Sequence, residues 1–199
     1  MKNNFISLFL SLTVFLGSIE KSYSTELQKG LDAALIGDFE TALKNWAPLA
    51  KGGNAFAQYN LGLMYDKGKG VQQSYKKAQR WYTLAAKQGN AFAQSNLGFM
   101  YDIGEGVPKD DNTAVQWYTL AAKQGNAVAQ INLGMKYAKG QGVLKNNVRA
   151  YMWLNIAVIF GEEKAIEIID KIAKLMSPAQ IRTAKRLSLY CVKENYKGC

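Results

Sequence analysis

The chain has no histidine and only two cysteines in 199 residues. Without an imidazole, His-based catalytic triads and His-bearing zinc sites are excluded, and two cysteines alone do not make a structural zinc site. Proline is scarce, with three residues against 18 glycines. With 48% apolar residues, the composition is that of a folded helical chain with frequent turns, not of a disordered one. The apolar stretch near the start, Phe5 to Leu16, falls well short of the ~20 residues that span a bilayer.

That stretch reads instead as part of an export leader. Lys2 supplies the positive start, and Ser22-Tyr23-Ser24 offers small residues at both specificity positions of a cleavage site. Residues 1–24 are therefore expected to be a signal peptide cut near Ser24-Thr25, which places the mature chain in the periplasm or outside the cell. No cysteine follows the apolar stretch, so lipid attachment there has no support, and no stable membrane span is expected after cleavage.

The net charge is +10, and removing Lys2, Lys21 and Glu20 leaves +9. The charge is uneven. Residues 54–89 hold six basic residues and one acidic, 90–125 hold two basic and four acidic, and 126–161 hold four basic and none acidic. An acidic block between two basic ones is not the continuous basic stripe of a nucleic-acid binder. It leaves two readings: an anionic polymer of the envelope as partner, or a surface kept soluble by its charge.

Internal repetition is the strongest signal. Residues 54–89, 90–125 and 126–161 align without a gap as three 36-residue units. Each predicts two antiparallel helices. Helix A starts at Asn54, Asn90 or Asn126 and ends near Gly68, Gly104 or Gly140. A Gly-x-Gly-Val loop follows, and helix B opens at Ser74, Asp110 or Asn146, three residue types that share only the ability to cap. Gly62, Gly98 and Gly134 lie inside helix A, where glycine costs about 0.8–1 kcal/mol relative to alanine. Close approach of a neighbouring helix is the expected compensation. Trp81 and Trp117, with small alanines beside them, are expected to fill the space. One unit cannot bury such a face alone, so the units must stack.

The string A-x-A-Q-x-x-L-G-x-x-Y-x-x-G-x-G-V, followed by x-A-x-x-W-Y-x-x-A-A-x-x-G, resembles the Sel1-like repeat, a relative of the tetratricopeptide repeat with a longer internal loop. The resemblance covers 54–161 and implies an all-α fold, a right-handed α-solenoid of stacked antiparallel helix pairs. Residues 25–53 read as a divergent first pair, with Trp46 and Ala50 standing in for the Trp and Ala of helix B. Residues 162–199 read as capping helices. Ser177-Pro178 opens the last, whose Ile181, Leu187 and Leu189 fit a terminal cap.

Candidate sites are few. The Gly-x-Gly loops follow helices and lack a third glycine, so they are not nucleotide fingerprints. Ser74 to Lys77 forms the Ser-x-x-Lys string of penicillin-recognising enzymes, and a cysteine-rich branch of the Sel1-like family is described as β-lactamase-like. Here the partner motifs are missing, the repeats contain no cysteine, and Ser74 is already explained as a cap. Cys191 and Cys199 form a disulfide or remain two free thiols. Eight residues of helix would hold them about 12 Å apart, so pairing requires the helix to end near Asn195. Asn60, Asn96 and Asn132 recur on helix A beside the variable Tyr59, Ser95 and Ile131. They form either a ladder that pairs with an extended peptide or hydrogen bonds that hold adjacent helices. Phe56, Phe92, Phe99 and Met135 are expected in the core between repeats. The resemblance implies a non-catalytic scaffold that binds a protein or peptide on its inner face, with a β-lactam or cell-wall-fragment protein as the alternative and no cofactor called for.

Overall fold

A computed structural model describes residues 25–199; the expected leader lies outside the described residues. Among the described residues there are ten helices and no strand. They are α1 (25–35), then α2 (Phe39–Lys51), α3 (Ala55–Lys67), α4 (Tyr75–Lys87), α5 (Ala91–Ile103), α6 (Asp111–Ala122), α7 (Ala127–Lys139), α8 (Asn147–Ile159), α9 (Lys164–Ala173) and α10 (Pro178–Lys193). Successive helices pack as antiparallel pairs in an α-solenoid, with α3, α5 and α7 as the A helices and α4, α6 and α8 as the B helices. The A helices of neighbouring units touch, α3 with α5 and α5 with α7, more than the B helices do.

The caps set the helix boundaries. Asn54, Asn90 and Asn126 each accept from the backbone N–H three residues on, at 2.9 Å. Ser74, Asp110 and Asn146 do the same for helix B. Asp38, one 36-residue step before Ser74, caps α2 through the Thr41 N–H. The repeat register thus reaches back to α2 without a gap.

The glycine inside helix A meets a tyrosine, not a tryptophan. A Cβ on Gly62 would stand 2.5 Å from the Tyr82 ring, and one on Gly98 would stand 2.8 Å from the Tyr118 ring. Tyr82 and Tyr118 are fully buried, whereas Trp81 and Trp117 are half-buried. The expectation that the tryptophans fill this space is corrected: a step of 100° along helix B turns Trp off the contact line and Tyr onto it. In the third unit Leu154 occupies the tyrosine position against Gly134. In the first pair Trp46, 36 residues before Tyr82, packs on Gly30 and donates from Nε1 to the Leu27 carbonyl. Trp46 therefore matches the tyrosine of helix B, not the tryptophan.

Glutamines join the units. Gln58, Gln94 and Gln130 are buried, and each donates its amide to a helix B carbonyl of the preceding pair, Ala50, Ala86 or Ala122. Gln88 and Gln124 then donate to the side-chain oxygens of Gln58 and Gln94 at 2.7 Å. Phe160 stands where a third such glutamine would be, and Gln130 Oε1 is left without a partner. The second glycine of the Gly-x-Gly loop also serves stacking. At Gly106, a Cβ would come within 2.6 Å of the Tyr75 carbonyl on the preceding unit.

α9 extends the row by one helix, its buried Ala165 and Ile169 standing 36 residues after Ala129 and Leu133, and α10 then turns back. Both α9 and α10 pack on α8. α10 buries Ala184, Ser188 and Cys191, and Asn155 donates to Ser188 Oγ at 2.7 Å. Ile181 and Leu187 are half-buried, but Leu189 is 62% exposed. Leu189 therefore does not belong to the cap's packing face, because it lies on the opposite side of the helix from Cys191. Cys191 and Cys199 are joined as a disulfide, with Cα atoms 5.8 Å apart. The tail turns back through left-handed Asn195, Tyr196 and Gly198, and the Tyr196 hydroxyl lies 3.4 Å from Gln130 Nε2.

Candidate functional site

Helix A buries one face against helix B, in α3 through Ala57, Leu61 and Met64. Residues one step before Ala57 and its equivalents point away from that contact. Phe56, Phe92 and Val128 occupy this repeat position and are all exposed, Phe92 at 61% and Val128 at 58%. Phe99 and Ile103 lie further along the same side of α5 and are exposed as well. This corrects the expectation that Phe56, Phe92 and Phe99 are core residues; Met135 is half-buried. The helical period that marks the face toward helix B puts these side chains about a quarter-turn or more away from it.

Around Phe92 the face deepens into a cavity of about 430 Å³. Its lining includes Tyr59, Phe92, Ser95, Asn96, Val128 and Glu162. The Tyr59 ring packs at 6.0 Å from Tyr82 and 5.8 Å from Phe92. Burial raises the Tyr59 pKa above the ordinary phenol value. Of the six candidate groove residues, Tyr59, Ser95 and Asn96 line this cavity, whereas Asn60, Ile131 and Asn132 do not.

The recurring asparagines have different surroundings. Asn60 donates to the Phe56 carbonyl of its own helix at 2.9 Å. Asn96 stands near the Tyr82 phenol and Asn132 near the Tyr118 phenol, each across the joint with the preceding unit. The Tyr118 hydroxyl lies 3.5 Å from Asp102 Oδ2, and the buried Tyr82 hydroxyl has no hydrogen-bond partner among the described residues. Burial, more than any other cause, pushes both phenols far above the ordinary tyrosine value. The pair before Asn60 has Trp46 in place of the tyrosine, so Asn60 has no phenol to face.

Lys136 is the buried charge that sequence reasoning missed. It takes the repeat position of the buried Met64 and Met100 and reaches two acids of the preceding unit, Asp102 at 2.5 Å and Asp111 at 2.7 Å. Burial acts to lower its pKa, but the hydrogen bonds to Asp102 and Asp111 outweigh that and the net shift is upward. The same contact holds the Asp111 carboxyl below its usual value. Part of the acidic block in unit 2 is thus consumed at a joint. The signal in the sequence was a lysine where two units have methionine.

The Ser-x-x-Lys string does not assemble a nucleophile. Ser74 Oγ accepts from the Lys77 backbone N–H at 3.3 Å, while Lys77 Nζ sits over the Tyr65 ring at 5.1 Å. Among the described residues no group of three or more Cys, Asp or Glu side chains is placed to hold a metal. No described helix is long and apolar enough to cross a membrane.

The family model for the Sel1 repeat matches residues 55–90, 91–126 and 127–158. The chain belongs to the Sel1 repeat family. A solved Sel1 repeat protein from Oxalobacter formigenes is 35% identical with a TM-score of 0.68, covering 71% of this chain and 58% of that one. A protective antigen of uropathogenic Escherichia coli strains with an SLR fold is 28% identical with a TM-score of 0.62, covering 92% of this chain and 49% of that one. Cysteine rich protein B of Helicobacter pylori, at 23% identity, TM-score 0.52, and coverage of 67% and 96%, shares the fold. This Sel1 repeat chain spans about half to three-fifths of the length of the first two relatives. No curated protein matches it. The Sel1 repeat fold is commonly a protein-interaction scaffold, and the disulfide is compatible with export.

Proposed function

We propose that this chain is a non-catalytic scaffold of the cell envelope or the extracellular space, which binds a partner polypeptide on the A-helix face. The observation that carries the reading is the set of exposed apolar side chains at one repeat position, Phe56, Phe92 and Val128, of which the last two line a cavity edged by Ser95 and Asn96. Exposed apolar groups at random positions are ordinary, but apolar groups that share a cavity rimmed by polar ones are the usual form of a binding surface. Aromatic side chains over a concave site supply buried area, and the hydroxyl and amides beside them fix the orientation of a backbone.

The test is selection of peptides from a random library on residues 25–199, followed by titration against variants. Phe92→Asp and Val128→Asp, both at solvent-exposed positions, are expected to keep the helical circular dichroism spectrum and to weaken the selected peptides by at least about tenfold. Peptides that bind these variants as tightly as the parent would move the site off the A helices.

A further inference from the structure

The last helix presents a surface that the A-helix cavity does not use. α10 contains no acidic residue from Pro178 to Lys193. Its buried line runs through Ala184, Ser188 and Cys191. At 100° per residue, the opposite line runs through Arg182, Arg186, Leu189 and Lys193, all of them exposed. Tyr190, beside this line, is exposed too. None of these cations has an ion pair among the described residues, whereas Lys171 of α9 is paired with Glu167. Between the two arginines lies a shallow depression of about 370 Å³, lined by Ala179, Arg182, Thr183 and Arg186.

Several large apolar residues of this chain are exposed, but Leu189 stands among the cations of this line and Tyr190 beside them. A soluble polyanion gains nothing from an exposed leucine. A bilayer offers phosphates to the arginines and, a few ångströms deeper, hydrocarbon to Leu189 and an interfacial setting to Tyr190. Sixteen residues give a helix about 24 Å long, and its other face is fixed by packing on α8 and by the disulfide. The surface is therefore presented without a cost for folding on contact. We propose that the solvent face of α10 docks on an anionic phospholipid bilayer, with Arg182 and Arg186 on lipid phosphates and Leu189 and Tyr190 at the boundary with the acyl chains. α10 lies on the outer side of α8, so the A-helix face remains open.

Sedimentation of residues 25–199, which contain the whole described fold, with lipid vesicles tests the proposal. Retention is expected on vesicles of mixed phosphatidylglycerol and phosphatidylcholine, falling with salt, and not on phosphatidylcholine alone. Arg182→Gln with Arg186→Gln should weaken it roughly tenfold or more. Leu189→Ser should weaken it while leaving the salt dependence unchanged. Lys76→Gln with Lys87→Gln, which removes two exposed lysines of α4, should have much less effect. Equal loss in the α4 pair would reduce the binding to diffuse charge and overturn the site. So would an inert Leu189→Ser combined with complete release by soluble polyphosphate, which would make the surface a polyanion site, or no retention on the anionic vesicles at all.

Discussion

Units 2 and 3 share a 36-residue pattern, yet the outer sides of their B helices have opposite fates. In α6 that side carries Gln116 and Leu120, and Leu120 is 48% exposed. In α8 the same positions hold Met152 and Ile156, both buried, with Ile156 at 0% exposure. The difference is α10, which packs on α8. Positions that repeat either cap their own helix, as the asparagines do, or meet a neighbour within the row, as the helix A glycines and the buried glutamines do. Met152 and Ile156, which replace Gln116 and Leu120 in unit 3, face the cap.

The sharpest way to break this comparison is one truncation made in both units. Ile156→Ala should cost about 2–4 kcal/mol, because it opens a cavity under α10, while Leu120→Ala should stay within about 0.5 kcal/mol. Urea unfolding followed by circular dichroism measures both, and similar costs would mean that the two sides are not differently covered. Next in size is the helix A glycine. Gly98→Ala should destabilise by about 1–3 kcal/mol through the clash with the Tyr118 ring, which exceeds its gain in helix propensity. Tyr118→Ala, which removes the ring that the new methyl would meet, should reduce that penalty, and thermal melts of the two single variants and the double variant report the coupling.

A smaller effect distinguishes the joints by pH. Asp111 has its carboxyl lowered by Lys136, so its share of stability is present above the ordinary value of 3.8 and is lost as pH falls through the lowered one. Lys136 is raised, so its share is present below 10.5 and is lost as pH rises through the folded value. Lys136→Met, which copies Met64 and Met100, should flatten both limbs of the melting temperature against pH while leaving the neutral region nearly unchanged. An unaltered profile would remove Lys136 from the joint. Smallest of all, Asn60→Ala should change stability by no more than about 0.5 kcal/mol, since Asn60 bonds only its own helix. A loss on the scale of a buried joint contact would show that Asn60 holds the stack.

What could be read in advance was what repeats locally. Ser74, Asp110 and Asn146 announce a helix start because each must supply the same acceptor, and Gly62, Gly98 and Gly134 announce a close approach because nothing else explains their cost. Which ring meets the glycine was not legible, because Trp81 and Tyr82 are adjacent, both large aromatics and both repeated in unit 2. Only the turn of the helix separates them. Asn96 was read as a groove residue or a joint residue, and it borders the cavity as well as the Tyr82 phenol. The exposure of Phe92 was hidden for a different reason: an apolar side chain at helical spacing reads as core whether or not a second helix covers it. The docking of α10 on α8 is a contact distant in sequence, visible only as Met152 and Ile156 replacing the Gln116 and Leu120 of unit 2.

The scaffold reading stands on which side of the row a partner covers. Hydrogen exchange of residues 25–199, free and saturated with a library-selected peptide, reports that directly. Slowed exchange confined to α5, α7 and the turn at Gln124–Ala127, with α4 and α6 unchanged, is the result predicted by a partner seated beside Phe92 and Val128. Protection of α4 and α6 with none on α5 or α7 would place the partner on the B helices and contradict the account.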